Sequence, residues 1–468
     1  MLKLYNTFSK KIEEFKPLKD KVVKFYHCGP TVYWTQHIGN MRAVIMADLV
    51  VRILKYLGYK VKLVRNITDV GHLTSDQDEG EDKLEKGAKR EGLSPKMIAQ
   101  KYANIYFADV NKLNIIKPSI TPWATKHIKE MIEMVQTLIE KGYAYTTDLA
   151  VYYDVSKFTD YEKLTGQPIK DKEVGAGKGE VEDPDKKHAA DFALWFFKAG
   201  KHKNALQTWA SPFKSSLVKN GEGFPGWHIE CSAMAKKYLG KTLDIHMGGV
   251  EHISIHHPNE IAQSEAANGV PFANYWLHNE HLMVNGGKMS KSEGTGYSLS
   301  EIEYKGYSPL DLRYFFLQAN YRSKQNFTWQ ALEAAKKGYD NLKNQILALG
   351  KKKGKVNKKF KDKFKEAIND DFNIAQGLAV VQQVLKSDLN NKDKLATVLD
   401  FDKVLGLDLA KVKKTKIKIP SKVQELVEKR EKARQGKDWQ RSDDLRDEIS
   451  ELGYLIEDTE SGPIVKKK

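Results

Sequence analysis

A chain of 468 residues is longer than one hydrophobic core usually holds, and 41% hydrophobic with 29% charged residues excludes a disordered chain. Lysine and arginine number 77 against 61 acidic residues, a formal charge of +16 that suits a polyanionic partner through counterion release. Only two cysteines occur, Cys28 and Cys231, which excludes a secreted disulfide scaffold and leaves reduced thiols or metal ligands. The best apolar helix candidate, Val44 to Leu57, is interrupted by Asp48, Arg52 and Lys55 and is too short to span a bilayer. The first residues lack the apolar core of a signal peptide, so a cytoplasmic protein is expected.

In chain order, Lys21 to Tyr26 reads as a short strand, broken by Cys28-Gly29-Pro30. Met41 to Leu57 carries apolar residues at helical spacing, with Gly58 as C-cap. Lys60 to Ile67 returns as a strand. Such a strand–helix–strand unit takes a right-handed crossover, so the expected class is α/β with a parallel sheet. The acidic run from Asp76 to Asp82 does not match the ligand spacing of a calcium loop and reads as a solvated loop. Residues 116–212 look inserted: a helix around His127 to Lys141, a charged glycine-bearing loop at Asp171 to Lys187, and an apolar core cluster of Phe192, Leu194, Trp195, Phe196 and Phe197. Leu243 to His246 and Tyr275 to Leu277 are further strands of the first sheet. Beyond Asn326 the pattern is helical, with a basic turn at Lys351 to Lys355. A boundary falls at Lys411 to Pro420, followed by two helices split by Gly436 and a hairpin across Glu460-Ser461-Gly462-Pro463.

Two short motifs carry chemistry. Lys288-Met289-Ser290-Lys291-Ser292 holds two lysines at i, i+3 between glycines, a loop able to bring two ammonium groups to a phosphate leaving group. His37-Ile38-Gly39-Asn40 stands at the start of the first long helix, where unpaired N–H groups and the helix dipole favour an anion. Gly39 permits close approach, and His37 and Asn40 can donate to phosphate or ribose oxygens; a plain helix cap is the alternative for both. Together, in this order, they resemble the KMSKS and HIGH signatures of class I aminoacyl-tRNA synthetases, with Asn40 in place of the last histidine. That resemblance implies ATP as substrate, with Mg2+, held by His37, Gly39, Asn40 and Lys291, and Lys288 and Lys291 as catalytic lysines.

Cys28 closes the first strand. Cys231 lies in Gly226 to Met234, and His256-His257-Pro258-Asn259-Glu260 follows. In a helix starting there, His256 and Glu260 share a face at i, i+4; His257 and Glu260 at i, i+3 are equally allowed. Two thiolates, an imidazole and a carboxylate make a reasonable tetrahedral zinc set, while two buried cysteines and an unrelated histidine pair are the plain alternative. The blocks CGPTVY at 28–33, RNITDV at 65–70, GWHIECSAM at 226–234, DIHMGG at 244–249 and HHPNEIAQSE at 256–265 resemble cysteinyl-tRNA synthetases. The resemblance implies one Zn2+ on Cys28, Cys231, His256 and Glu260, with the substrate cysteine's thiolate joining it and Glu260 loosening. It also sets Thr68, Trp227 and His246 beside the amino acid. The chain departs from the usual pattern at Pro258, at Glu251 and in Val70-Gly71-His72-Leu73.

The tail carries Arg430, Arg434, Lys437, Trp439, Asp443 and Arg446, groups able to contact phosphate, stack on a base or accept from a base amino group. The resemblance implies anticodon contacts by Arg434, Trp439 and Asp443. The implied organisation is a Rossmann-like catalytic domain split between 1–115 and 213–285, a connective insertion at 116–212, a KMSKS and stem-contact region at 286–327, a helical bundle at 328–410 and an anticodon-binding domain at 411–468. The implied reaction is ATP-dependent formation of cysteinyl-adenylate, then transfer to the 3′ end of tRNA(Cys), by a monomer that needs no membrane. A cysteine ligase acting on a small amino sugar by the same chemistry is the alternative; it would need no such tail. A zinc-dependent RNA-binding module would need no lysine loop.

Overall fold

The computed structural model describes residues 1–73, 81–166, 183–289, 294–413, 420–459 and 462–467. Lys291, most of the acidic run at 76–82, most of the loop at 171–187, and Glu460-Ser461 lie outside the described residues. The chain divides into two compact units, Met1–Ala410 and Lys411–Lys468.

The first unit opens with a hairpin of β1 (Lys3–Asn6) and β2 (Lys11–Glu14). Next come β3 (Val22–His27), α1 (Ile38–Tyr56) and β4 (Lys60–Arg65). Two helices, α2 (Lys83–Glu91) and α3 (Pro95–Lys112), lead into α4 (Ile128–Glu140). An antiparallel sheet follows, with β5 (Ala144–Thr146), β6 (Ala150–Tyr153), β7 (Phe192–Phe197) and β8 (Gly223–Pro225) paired in that order. The chain then returns through α5 (Trp227–Leu239), β9 (Leu243–Gly249), α6 (His256–Asn268) and β10 (Ala273–Asn279).

The central sheet is parallel, in the order β10-β9-β3-β4. β3 leads to β4 on one side, and the chain later crosses to place β9 on the other. The carboxyl ends of β3 and β9 therefore flank a topological switch point, where open α/β sheets form their ligand crevice. The sheet is deeply buried at β9, every residue of which is covered, while β4 is buried only over its last three residues. Phe192, Leu194, Trp195, Phe196 and Phe197 fill the core as expected, continuous with Tyr26 and Trp276 of the parallel sheet. β8 pairs with β7, so the sheet of the inserted segment runs past residue 212.

α1 begins three residues before the apolar spacing indicates. His37 is its N-cap, in a reciprocal capping box with Asn40, which adds a turn of helix. A small sheet of β11 (Leu282–Val284), β12 (Gly287–Lys288) and β13 (Gln325–Phe327) carries the start of the lysine loop. Helices Trp329–Ala348, Lys358–Asn369, Ile374–Lys386 and Asn391–Leu405 complete the unit. A buried node joins this bundle to α1: Arg313 donates to Asp48 Oδ2 at 2.7 Å and to the Leu405 carbonyl at 2.8 Å.

The second unit packs helices Ser421–Gln435 and Trp439–Glu451 with the hairpin of β14 (Tyr454–Thr459) and β15 (Gly462–Lys467), over Val423, Leu426, Leu445, Ile449 and Ile456. No described helix is long and apolar enough to cross a membrane.

Candidate active site

At the switch point lies a cleft of about 400 Å³, lined among others by Cys28, Thr31, His37, Asn40, His72 and Trp227. The chain reaches it from β3 by a turn that only glycine allows: a Cβ on Gly29 would fall 1.6 Å from the Asn66 carbonyl oxygen. Asn66 also accepts from the Gly29 N–H at 2.8 Å, which fixes the turn after Cys28.

One wall is the start of α1. Asn40 N–H donates to His37 Nδ1 and His37 N–H donates to Asn40 Oδ1, each at 3.2 Å. Both residues thus cap the helix and line the cleft. Ile38 N–H donates to the Tyr297 carbonyl at 2.8 Å, and His37 bridges to Ser298, so the chain just past the lysine loop is laced to this wall. On the other side of the loop, the Met289 methyl would lie 3.4 Å from a Cβ on Gly39. Met289 and the chain at Tyr297 and Ser298, far from His37 in sequence, thus meet this wall.

Beneath the cleft, one ligand atom from each of Cys28, Cys231, His256 and Glu260 falls within 4.8 Å of the others. His256 Nε2 lies 3.0 Å and Cys28 Sγ 3.7 Å from Glu260 Oε1. A second quartet, Cys28, His246, His257 and Glu260, is equally close, so both histidine choices left open by spacing come together. Cys28 is half-buried and the other three residues of the first quartet are buried.

The quartet gathers groups that favour the ionised form in a buried place. Burial pushes the Cys28 thiol up. Burial also acts to raise Cys231, but hydrogen bonding from Cys28 and the His256 imidazole outweigh it and hold Cys231 at about 6. Burial would lower His256, yet Glu260 and Cys231 drive it up to about 10. Burial opposes ionisation of Glu260, but His246 and His256 keep its carboxyl well below the ordinary range. The donor set, sulfur with imidazole and carboxylate at close range, fits zinc. Its supports are in place: His246 Nε2 lies 2.8 Å from Glu260 Oε2, and His256 Nδ1 lies 2.8 Å from His228 Nδ1.

Trp227, the first residue of α5, stacks with two imidazoles, 3.8 Å from His72 and 4.2 Å from His256 by ring centroids. Thr68 and His246 are fully buried and do not line the cleft. Thr68 donates to Glu230 Oε2 at 2.8 Å, and His246 pairs with Glu260, so His246 meets the quartet through a carboxylate. His72 and Lys83 were not among the expected site residues. His72 lies 2.5 Å from both Thr31 Oγ1 and Lys83 Nζ, and all three residues line the cleft. Position next to Asn66-Ile67-Thr68-Asp69 was a signal for His72; nothing separates Lys83 from the other lysines.

In the second unit, Trp439 is 58% exposed, Asp443 is exposed and the Arg434 guanidinium lies 5.9 Å from the Trp439 ring. Arg430, named with the basic residues of the tail able to contact phosphate, is instead taken up inside the unit. It is buried, and its two terminal nitrogens donate to Asp458 at 2.7 and 2.9 Å, so it braces the hairpin.

A family model described as "tRNA synthetases class I (C) catalytic domain" matches residues 14–337, which makes the fold and cleft those of a class I aminoacyl-tRNA synthetase. In fold alone, the chain resembles Mycobacterium tuberculosis methionyl-tRNA synthetase in complex with methionyl-adenylate, at a TM-score of 0.55 and 13% identity over 82% of this chain and 90% of that one. A second model, "Cysteinyl-tRNA ligase anticodon binding domain", matches residues 418–462. A cysteine–tRNA ligase of Treponema denticola is 41% identical, covering 100% of this chain and 99% of that protein. Cysteine–tRNA ligase 1 of Burkholderia lata is 42% identical over 98% and 96%. The chain belongs to the cysteinyl-tRNA synthetase family, whose members are aminoacyl-tRNA ligases. The amino-sugar ligase alternative finds no support in these comparisons.

Proposed function

We propose that the chain activates L-cysteine with ATP and Mg2+ and transfers the cysteinyl group to the 3′ end of tRNA(Cys), with a zinc ion on Cys28, Cys231, His256 and Glu260. The observation that carries this reading is the quartet of donors directly beneath the nucleotide cleft. His256 is favoured over His257 because its quartet brings both cysteines together. When bound, zinc supplies a soft Lewis acid that prefers a thiolate to the hydroxyl of serine.

The rest is positioning and charge. The N-terminus of α1, with His37, Gly39 and Asn40, receives the ATP phosphates. The substrate carboxylate forms a bond to the α-phosphorus as the bond to pyrophosphate breaks. Lys288 and Lys291 neutralise the charge that builds on the leaving group. Trp227, stacked on His72, forms a flat wall beside the amino acid. Thr68 holds the Glu230 carboxylate, and His246 orients Glu260. The tRNA 3′ hydroxyl then attacks the acyl carbonyl and AMP leaves. In the tail, Trp439 offers a stacking face, with Arg434 and Asp443 beside it to meet phosphate and base edges of the anticodon.

The test has two stages. ATP–pyrophosphate exchange should require cysteine and not serine, and the same protein should charge tRNA(Cys). Elemental analysis should find about one zinc per chain, as expected of a single four-donor site. Exchange without charging would overturn the tRNA acceptor, and full cysteine selectivity in a metal-free protein would overturn the zinc.

A further inference from the structure

The nucleotide cleft has to bring two anions together, an amino acid carboxylate and the α-phosphate of ATP. Among the described residues it is lined by a single lysine or arginine, Lys83. Lys83 is the first residue of α2. The dipole of a helix start favours acids, and the N-cap Asp82 follows that rule by accepting from the Leu84 and Glu85 N–H groups at 2.7 and 3.0 Å. A cation in the next position opposes the dipole, so the stability of α2 does not explain its place.

Lys83 is held at both ends by His72. Its backbone N–H donates to the His72 carbonyl at 2.9 Å, and its ammonium donates to His72 Nε2 at 2.5 Å. An ammonium has no acceptor, so Nε2 is the bare nitrogen of the ring. The ring proton is therefore on Nδ1, which donates to Thr31 Oγ1 at 2.5 Å. Trp227, stacked on the same ring at 3.8 Å, keeps the imidazole from turning. Thr31, His72, Lys83 and Trp227 all line the cleft. Lys83 Nζ stands 5.9 Å from the centre of the Trp227 ring, and that ring lies 4.2 Å from His256 of the donor quartet. The ammonium is thus fixed beside the side chain that joins the nucleotide cleft to the quartet.

We propose, on the basis of the activation reaction set out above, that Lys83 is a catalytic residue of that step and that His72 positions it. The Lys83 ammonium donates to the substrate carboxylate and to a non-bridging oxygen of the α-phosphate. A carboxylate oxygen forms its bond to the α-phosphorus, the bond to the bridging oxygen breaks, and the electron pair leaves with pyrophosphate. Lys83 keeps its proton throughout. It offsets the repulsion between the two anions as they close, from a place fixed before the substrates arrive. The lysine loop serves the leaving group in this scheme, and Lys83 serves the attacking one.

The test measures cysteine-dependent ATP–pyrophosphate exchange in the whole protein and in four variants. Lys83→Met is expected to lower kcat by about 10²–10³ with no fall in melting temperature, since a cation is removed from a helix start. Ethylammonium added to Lys83→Ala is expected to restore part of the lost kcat saturably and to leave the parent unchanged. His72→Ala is expected to lower kcat about tenfold, and His72→Gln, which keeps an acceptor for the ammonium and a donor for Thr31, to recover most of it. Parental kcat in Lys83→Met, beside a parent that exchanges, would overturn the role of Lys83 alone. A loss of kcat that comes with a lower melting temperature and no rescue by the amine would make Lys83 structural and overturn it too. A parent without cysteine-dependent exchange would overturn the activation reaction itself, and this role with it. Should the Lys83 variants fail to fold, the His72 pair decides: parental kcat in His72→Ala, or no recovery in His72→Gln, would overturn the proposal.

Discussion

His246 Nε2 lies 2.8 Å from Oε2 of Glu260, with both side chains wholly buried. The other oxygen of Glu260 faces Cys28 and His256. The carboxylate is therefore gripped from behind while its front oxygen is offered to the quartet. Groups that orient a metal ligand in this way typically change affinity by about 10–100-fold when removed. His246→Ala should weaken zinc binding by that factor, measured by competition with a chromogenic chelator. The same Kd in mutant and parent would show that Glu260 needs no such support.

The Asp48 node tests what joins α1 to the helical bundle. Asp48 accepts from Arg52 Nε and Arg313 Nη2, each at 2.7 Å, and from the Ile116 N–H at 2.8 Å. Burial would raise its carboxyl, but the two guanidinium groups hold it below its ordinary value. Asp48→Ala leaves the buried Arg313 charge uncompensated, a loss of about 3–5 kcal/mol for a pair of this kind. Urea denaturation of the first unit should register it. A change under about 1 kcal/mol would show that the surrounding carbonyls suffice for Arg313.

Asp109 on α3 should give stability a dependence on pH. Burial pushes its carboxyl up to about 6, against the pull of Lys112. The folded state therefore holds the proton more tightly than the unfolded chain. The stability so contributed is full below about 4, the ordinary aspartate value, and is lost as pH rises to about 6. Asp109→Asn removes the dependence. Its melting temperature should exceed that of the parent at pH 8, and the gap should close as pH falls from 6 towards 4. A gap that does not vary across that window would mean Asp109 titrates normally.

Much of this was legible in the sequence because local signals agreed with the fold. The unit β3–α1–β4 follows from two apolar runs, a helical spacing and breaks at Gly29-Pro30 and Gly58. The four quartet residues could be raised as a set from two cysteines and a His–Glu pair at i, i+4, but resemblance decided among the choices, since Cys28 and Glu260 are 232 positions apart and no local pattern links them. The stack of His72 on Trp227 was hidden for the same reason: nothing in either segment says they meet. Arg430 misled because a charged helix reads as a solvated face, and its burial depends on Asp458 arriving from a strand 28 residues later. The start of α1 was misplaced because apolar spacing does not register a capping box.

Lys291 lies outside the described residues. In the proposed reading its ammonium group meets pyrophosphate as charge develops. Lys291→Ala should reduce kcat for exchange by about 10²–10³ with a smaller effect on the KM for ATP, the pattern of a contact strongest in the transition state. An unchanged kcat would leave the loop without a catalytic part.

Trp439 separates the two ends of the reaction. At 58% exposed it contributes little to the tail's own core, which Val423, Leu426, Leu445 and Ile449 build without it. A large exposed aromatic beside Arg434 is a stacking face, and stacking of an unpaired base on such a ring contributes about 1–3 kcal/mol. Trp439→Ala should therefore raise the KM for tRNA in the charging reaction by roughly 5- to 150-fold, while ATP–pyrophosphate exchange, which needs no tRNA, proceeds at the parental rate. Trp439→Phe, which keeps a ring, should recover most of the loss. Parental tRNA KM in the alanine variant would remove Trp439 from the tRNA surface. Lost exchange would place its role in the folding of the chain instead.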